Sequence, residues 1–173
     1  MSQVRLFTAT SLDGFVADSD GDSAWLEPYR QSMFTESGFL EGIGAVILGR
    51  RTFQMMQAFG EWPYVDKYAF ILTSQEPSWL PLNSFYVTSG IVPAVQAARE
   101  RTSKDIWVVG GAVTMESALD ADLVDIVEIC VTPRLIGSGL SMFNSLKRRQ
   151  KLEFEGIQAF SDGLVKLRYE VVR

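Results

Sequence analysis

The sequence predicts an α/β fold with a mostly parallel central sheet, helices on both faces and an antiparallel edge. Short apolar runs alternate with segments of helical character along most of the chain. Many of these runs end in glycine or in small hydroxyl residues, which is typical of buried strands that turn into helices. The last part differs, because two alternating segments flank Ser161–Gly163 and predict a β-hairpin.

Each predicted strand is a short run rich in apolar residues and bounded by turn residues. In chain order these runs are Gln3–Thr10, Gly44–Gly49, Tyr68–Ser74, Ser84–Ser89, Asp105–Gly111 and Asp125–Pro133, followed by the hairpin strands Lys151–Phe160 and Leu164–Val172. The predicted helices are Ser32–Ile43, Arg50–Phe59, Pro93–Thr102, which has proline in its first turn, and Ala112–Leu119.

Composition predicts one globular domain over residues 1–173, with 47% hydrophobic residues and no linker, repeat or low-complexity segment. The net charge of −5 disfavours a general nucleic-acid binder. No apolar run is long enough for a membrane span, so we expect no membrane partner. The first residues lack the pattern of a signal peptide, and we expect the protein in the cytoplasm.

The absence of histidine limits the chemistry, because it excludes Ser-His-Asp and Cys-His catalysis and the usual zinc sites. The single cysteine, Cys130, lies in an apolar run and is predicted as a buried strand residue. We expect no bound metal. Chemistry carried by an organic cofactor fits these limits, since the protein then supplies mainly binding and orientation.

The carboxyl ends of the predicted strands gather residues suited to a phosphate-bearing ligand, since ligands of open α/β sheets bind beyond these ends. The residues there are Thr10, Ser11, Asp13, Gly14, Gly49, Arg50, Arg51, Thr52, Thr73, Ser74, Gly110, Gly111, Thr132 and Pro133.

Arg50 and Arg51 stand at the start of a predicted helix, where the helix dipole disfavours cations by roughly 0.3–1 kcal/mol each. A bound anion would remove this conflict, and helix N-termini bind phosphate through their free N–H groups. A solvated basic pair remains the alternative interpretation.

Gly110-Gly111 presents the same strand-to-helix turn, although the spacing G-x-G-x-x-G of a dinucleotide-binding Rossmann motif is absent. Taken alone, the pair favours a tight turn over a phosphate cradle, and the cradle gains support from the other strand ends beside it. Asp13 is a candidate functional carboxylate within an ordinary Asp-Gly turn. Trp25 either covers the rim of the core or stacks on a flat ligand, and Gly137 belongs to a glycine turn.

The motifs TSLDGFVA, VILGRRTF, ILTS, WVVGGA, TPRLIGSGLSMF and LVKLRYEV follow one another along nearly the whole chain. This order resembles the dihydrofolate-reductase-like superfamily, and within it the reductase domain of the bacterial riboflavin-biosynthesis deaminase-reductase and its stand-alone relatives. The resemblance implies a three-layer α/β/α domain that binds NADPH, forms a homodimer and reduces a small heterocyclic or sugar-linked substrate. The activity would be that of a 5-amino-6-(5-phosphoribosylamino)uracil reductase or a dihydrofolate reductase.

By the same resemblance, residues at several strand ends would hold the cofactor. These are Ala9 and Val16 at the nicotinamide, Gly49, Arg50, Arg51 and Thr52 at the phosphates, Thr73 and Ser74 near the adenosine 2′-phosphate, and Gly110, Gly111, Ala112 and Val113 at the pyrophosphate. Asp13 would be catalytic and would face the substrate together with Ser11, Trp25, Thr132 and Gly137.

Three functions remain open at this point. The first is an NADPH-dependent reductase, in which Asp13 or water helps to supply the proton. The second is a dinucleotide-binding regulatory module without turnover. The third is a pterin or dihydrofolate reductase, for which only Glu27 or Glu36 could serve as the acid.

Overall fold

A computed structural model describes residues 1–58 and 60–173 and contains ten strands. The strands are β1 (Val4–Thr10), β2 (Phe15–Ala17), β3 (Ile43–Gly49), β4 (Tyr68–Leu72), β5 (Ser84–Val87), β6 (Asp105–Gly110), β7 (Ile126–Val131), β8 (Leu140–Ser141), β9 (Lys151–Ala159) and β10 (Val165–Val172). The α-helices are α1 (Arg50–Ala58), α2 (Ile91–Arg99) and α3 (Ala112–Asp120).

Eight strands form one sheet in the order β5-β4-β3-β6-β1-β7-β10-β9. The six strands from β5 to β7 are mutually parallel, whereas β10 pairs antiparallel with both β7 and β9. Strands β2 and β8 form a separate small antiparallel sheet. The predicted fold class is therefore confirmed, including the antiparallel C-terminal hairpin.

Each face of the large sheet carries its own apolar core. On one face, α2 and α3 pack on side chains such as Leu6, Ile47 and Val108. On the other face, α1 and several short helical turns cover residues such as Phe7 and Trp107. Burial on both faces explains why the parallel strands are continuous apolar runs in the sequence.

The predicted helix Ser32–Ile43 is wrong as one continuous element. The chain forms a 3-10 turn at Ala24–Tyr29, a π-helical turn at Gln31–Glu36 and a second 3-10 turn at Phe39–Gly42. Gly38 has φ of 64°, a left-handed conformation that interrupts the helical path. The Nζ of buried Lys67 donates to the carbonyls of Leu40 and Ile43, where β3 begins.

Smaller differences concern the ends of elements. The strand predicted to reach Ser74 ends at Leu72, because the Thr73 hydroxyl bonds to the backbone of Gln75 and turns the chain. Phe59, predicted as the last residue of the α1 helix, lies outside the described residues. Over the described part of the chain, no helix combines the length and apolar character that crossing a bilayer requires.

Candidate active site at the carboxyl ends of the strands

The turns after β3 and β6 lie against each other at the centre of this edge. A Cβ atom added to Gly49 would stand 2.7 Å from Thr114 Oγ1, 3.5 Å from the carbonyl oxygen of Gly110 and 3.6 Å from the nitrogen of Gly111. A Cβ on Gly111 would stand 3.6 Å from Thr52 Oγ1. The two predicted glycine turns thus lie side by side at one place, which we call the glycine crevice, and the Gly110–Gly111 peptide bond there is cis.

Two helices begin at the glycine crevice, α1 at Arg50 and α3 at Ala112. Neither helix has an acidic side chain in its first turn, and no side chain caps α3. The N–H groups of Ala112 and Val113 therefore have no intrahelical partner. Two helix N-termini without a carboxylate give the crevice a positive potential that favours an anion.

Arg50 and Arg51 remain available for such an anion. Both are exposed, and within residues 1–58 and 60–173 no carboxylate lies within the 4.0 Å limit of an ion pair with either side chain. Arg50 lines a cavity together with Thr73, whereas Ser74 is exposed just beyond the end of β4. The structure therefore brings the strand ends of β3, β4 and β6 together, as expected.

The predicted substrate residues Ser11 and Thr132 are fully buried at the ends of β1 and β7. The Ser11 hydroxyl accepts a hydrogen bond from the N–H of Phe15 at 3.0 Å. The Thr132 hydroxyl donates to the carbonyl of Thr10 at 3.1 Å. Both hydroxyls thus make hydrogen bonds inside the protein and help to position the two loops; contact of these residues with a substrate stays a prediction.

The carboxylate of Asp13 holds a neighbouring loop. It accepts hydrogen bonds from the N–H of Gly137 at 2.8 Å and from the N–H of Ile136 at 3.2 Å. The Ser11 hydroxyl, followed by these two N–H groups, lowers the pKa of Asp13 below its usual value and outweighs the opposing effect of desolvation. Asp13 is therefore ionised at neutral pH, and its geometry fits a loop clamp better than a proton donor.

The other residues predicted at the nicotinamide end lie close to this clamp. Ala9 is buried near the end of β1, and Val16 is half-buried in β2, which pairs with β8. Gly137 contributes its N–H to Asp13. The small β2–β8 sheet and the Asp13 clamp together hold the loops that border this end of the site.

Trp25 and Trp62 are half-buried, and within the described residues their indole N–H groups have no hydrogen-bond partner. Trp62 packs edge-on against Phe53 and Tyr64, with ring centroids 5.6 and 5.3 Å apart. Burial raises the pKa of the Tyr64 hydroxyl, which therefore stays protonated. Both interpretations of Trp25 remain open: its side chain covers the rim of the core, or it stacks on a flat ligand.

Sequence reasoning missed two residues at this edge. Thr114, in the first turn of α3, lies against Gly49; a hydroxyl residue three positions after Gly-Gly was the available signal. Arg134 lies beside Tyr29 and donates from Nε to its hydroxyl at 3.2 Å. Glu27 and Glu36, the two candidate acids for a dihydrofolate reductase, are not buried: Glu27 is 73% exposed, and Glu36 is also exposed.

Residues 65–166, more than half of the chain, match the model of the RibD C-terminal domain family. The chain belongs to the RibD C-terminal domain family. YwjB of Bacillus subtilis (strain 168), an uncharacterized protein, is 29% identical over 166 residues, which are 95% of each chain. A candidate riboflavin biosynthesis protein from Shewanella sp. PV-4 superposes with a TM-score of 0.82 and 27% identity, over 99% of each chain.

The fold of this RibD C-terminal domain is also that of dihydrofolate reductase. The Enterococcus faecalis enzyme, in complex with NADP(H) and RAB-propyl, superposes with a TM-score of 0.72 over 99% of this chain and 97% of that chain, at 16% identity. This likeness confirms the dihydrofolate-reductase-like fold. At the level of the family, the comparisons support a reductase-type oxidoreductase.

Proposed function

We propose that this RibD C-terminal domain is an NADPH-dependent reductase that transfers a hydride to a C=N or C=O group of a small heterocyclic or sugar-linked substrate. The observation that carries the proposal is the glycine crevice, where two helix N-termini without acidic residues meet between β3 and β6. Bound NADPH would supply the hydride, which the side chains of this chain cannot.

The residues of the glycine crevice fit a dinucleotide diphosphate. Because Gly49 has no side chain, the end of β3 packs closely against the first turn of α3, and an added Cβ would stand only 2.7 Å from Thr114 Oγ1. Ala112 and Val113 offer backbone N–H donors, and Arg50 and Arg51 offer cations without an acidic partner in the described chain. Family membership adds support, because the fold is shared with a reductase that was solved with NADP(H).

The strand order suggests how such a cofactor would lie. Strand β4 neighbours β3 on one side of the crevice, and β1 neighbours β6 on the other. A dinucleotide whose diphosphate occupies the crevice therefore sends one nucleoside towards β4 and the other towards β1. We assign the nicotinamide to the β1 side, beside Ala9 and Val16, and the adenosine to the β4 side, beside Thr73 and Ser74.

The source of the proton is assigned to water rather than to Asp13. The lowered pKa of the Asp13 carboxyl keeps it ionised, and its oxygens are occupied by two backbone N–H groups.

A screen of heterocyclic and sugar-linked carbonyl or imine compounds tests the proposal, with NADPH oxidation followed by absorbance. Dihydrofolate belongs in the screen, although the exposed Glu27 gives it no specific support.

A dinucleotide-binding regulatory module without turnover is the second candidate. It is favoured by one observation, that the carboxylate of Asp13, the candidate catalytic acid, is engaged as a loop clamp. The same screen separates the two, because a regulatory module binds NADPH and oxidises none of it with any compound, whereas robust turnover rejects the module.

We also propose that the protein is a homodimer built on its C-terminal hairpin. In β9, Phe154 is 57% and Ile157 65% exposed. They pair with Tyr169 and Leu167 of β10, and the irregularity in register between these pairs places both side chains on one apolar face of the hairpin. We also propose that the protein is located in the cytoplasm. Its one cysteine, Cys130, is a free and buried thiol, and burial raises the pKa of this thiol to about 12.

A further inference from the structure

A cavity of about 190 Å³ lies beside the glycine crevice, between α1 and the loop that follows β4. Phe53 and Ile71 form its apolar floor. The polar walls consist of side chains from α1 and from the loop, among them Arg50, Gln54, Gln57, Thr73, Gln75 and Glu76. Arg50, Gln54 and Gln57 lie on one stripe of the helix, so the cavity follows α1 from its first turn.

The charges that line this cavity balance. Arg50 is the one cation and Glu76 the one anion among its lining residues, and the others are amides, hydroxyls or apolar groups. Arg50 and Glu76 are both exposed and do not form an ion pair with each other at the 4.0 Å limit. A ligand group in the cavity therefore meets both charges separately.

The proposed cofactor position brings the adenosine ribose to this cavity. The diphosphate at the glycine crevice would send one nucleoside past Arg50 and Thr73, which line both the β4 side of the site and the cavity. A phosphate on the 2′-oxygen of that ribose is the only group by which NADPH differs from NADH. It carries a charge of about −1.5 to −2 at neutral pH.

This phosphate would be attracted by Arg50 and repelled by Glu76. A cavity of this volume is smaller across than the Debye length of about 8 Å at physiological salt, so both charges act on the phosphate with little screening. The unphosphorylated ribose of NADH carries no charge at this position, so it is neither attracted by Arg50 nor repelled by Glu76. The carboxylate of Glu76 therefore opposes NADPH alone.

We infer that Glu76 is a specificity-determining residue that weakens the preference of this chain for the 2′-phosphorylated cofactor. The inference rests on the proposed function and adds a residue that reads the adenosine end of the cofactor. It implies that wild-type protein binds NADPH and NADH with dissociation constants that differ by less than about tenfold, because Arg50 is the one cation among the lining residues and Glu76 offsets its attraction for the phosphate.

The test measures dissociation constants of NADPH and NADH for wild-type protein, Glu76→Gln and Glu100→Gln, by quenching of tryptophan fluorescence. Glu100 is an exposed acid at the end of α2 and does not line the cavity, so its variant matches the change in net charge. Glu76→Gln is expected to lower the dissociation constant of NADPH by roughly three- to tenfold, which is the range for an exposed charge pair with a doubly charged phosphate. The dissociation constant of NADH is expected to change by less than about twofold.

Added salt is expected to shrink the gain from Glu76→Gln, since the effect is electrostatic. Both cofactors could bind the wild type while Glu76→Gln changes their two dissociation constants by the same factor, or changes neither. The inference about Glu76 is then wrong and the proposed function stands. An equal gain in Glu100→Gln also overturns it, because net charge then explains the result. If neither dinucleotide binds any variant, the proposed function itself fails, and the inference fails with it.

Discussion

Single atoms decide the geometry of the glycine crevice. Gly49 has no φ in the left-handed region, so its backbone would accept a side chain, and the crowding comes from its neighbours instead. The hydroxyl of Thr114 occupies the place nearest to any added Cβ. Glycine is therefore required at this position by the close packing of β3 against α3, not by backbone strain.

Gly49→Ala is expected to lower the free energy of unfolding by about 1–2 kcal/mol, as overpacking does, and to weaken NADPH binding by roughly tenfold. Adding Thr114→Ala removes the atom 2.7 Å away and is expected to restore stability while NADPH affinity stays low. Gly156→Ala is the matched control, because nothing lies within 4 Å of its added Cβ. Calorimetry and titration check both quantities. Unchanged NADPH affinity in Gly49→Ala would contradict the assignment of the crevice.

The Asp13 clamp predicts a pH dependence of stability. A carboxyl whose pKa is lowered on folding stabilises the protein above its unfolded pKa, near 3.8, and loses that contribution as the pH falls through the folded pKa. We expect the free energy of unfolding of wild-type protein to fall below about pH 4 more steeply than that of Asp13→Asn. Asp20→Asn, at an exposed turn residue, is the control and should follow the wild type.

Asp13→Asn also separates the two roles of this residue. A clamp variant loosens the loop at Ile136 and Gly137 and is expected mainly to raise KM. A large fall in kcat at unchanged KM would restore Asp13 as the catalytic acid that the sequence suggested.

At the scale of elements, the buried Glu128 connects three strands. It lies in β7, is 1% exposed and accepts hydrogen bonds from Arg5 Nη2 at 2.6 Å and Arg168 Nη1 at 3.2 Å. Lys166 Nζ lies 3.9 Å away. One carboxylate thus compensates cations from β1 and β10, where the parallel part of the sheet changes to the antiparallel hairpin.

Glu128→Ala is expected to lower the free energy of unfolding by about 3 kcal/mol, because it removes the buried carboxylate that Arg5 and Arg168 share and leaves them only Asp105 and Glu155 as partners. Glu153→Ala, an exposed acid on β9, should change it by no more than about 0.5 kcal/mol. Denaturant titration measures both. A loss in Glu128→Ala no larger than that of the control would show that the network contributes nothing to stability.

The sequence predicted the elements better than their arrangement. Apolar runs identified the buried strands because both faces of the sheet are covered, and the Asp-Gly turn identified the hairpin. The interrupted helix before β3 was missed, since its apolar spacing suits a helix and only Gly38 signals the break. The sequence also shows Glu128 in mid-strand but not its partners, because those depend on the register between strands.

For the candidate site, the residue types at the strand ends could be predicted from the sequence, but not which strand ends lie next to each other. Glycines, hydroxyls and arginines at strand ends are visible in a sequence, because each follows an apolar run. Which ends adjoin is set by the order β4-β3-β6-β1, in which β6 comes between two earlier strands. Thr114 and Glu76 could be assigned to the site only from this order. The sequence also did not show that the hydroxyls of Ser11 and Thr132 make hydrogen bonds inside the protein, because that depends on how the loops fold.

At the scale of the whole molecule, the hairpin makes the sheet amphipathic at one edge. Phe154 packs against Tyr169 across the two strands, with ring centroids 5.7 Å apart. Glu155 and Arg168 form an ion pair at 2.6 Å. An exposed apolar face of this kind marks an interaction site, and a second copy offers the same face in return.

Ile157→Lys and Phe154→Lys are each expected to convert a dimer into a monomer, because they place charges in the proposed apolar interface. Gln158→Lys adds the same charge at the neighbouring position of β9, where strand alternation directs the side chain away from this face, and should remain dimeric. Light scattering at micromolar concentration measures the masses. A monomeric wild-type protein would contradict the proposed dimer.

A structure of the protein with bound NADPH would show where the dinucleotide lies. We expect the diphosphate at the glycine crevice, beside Gly49 and Gly111, with the adenosine beside Arg50 and Thr73 and the nicotinamide beside Ala9. A dinucleotide bound elsewhere on the protein, or no dinucleotide bound at saturating concentration, would contradict it.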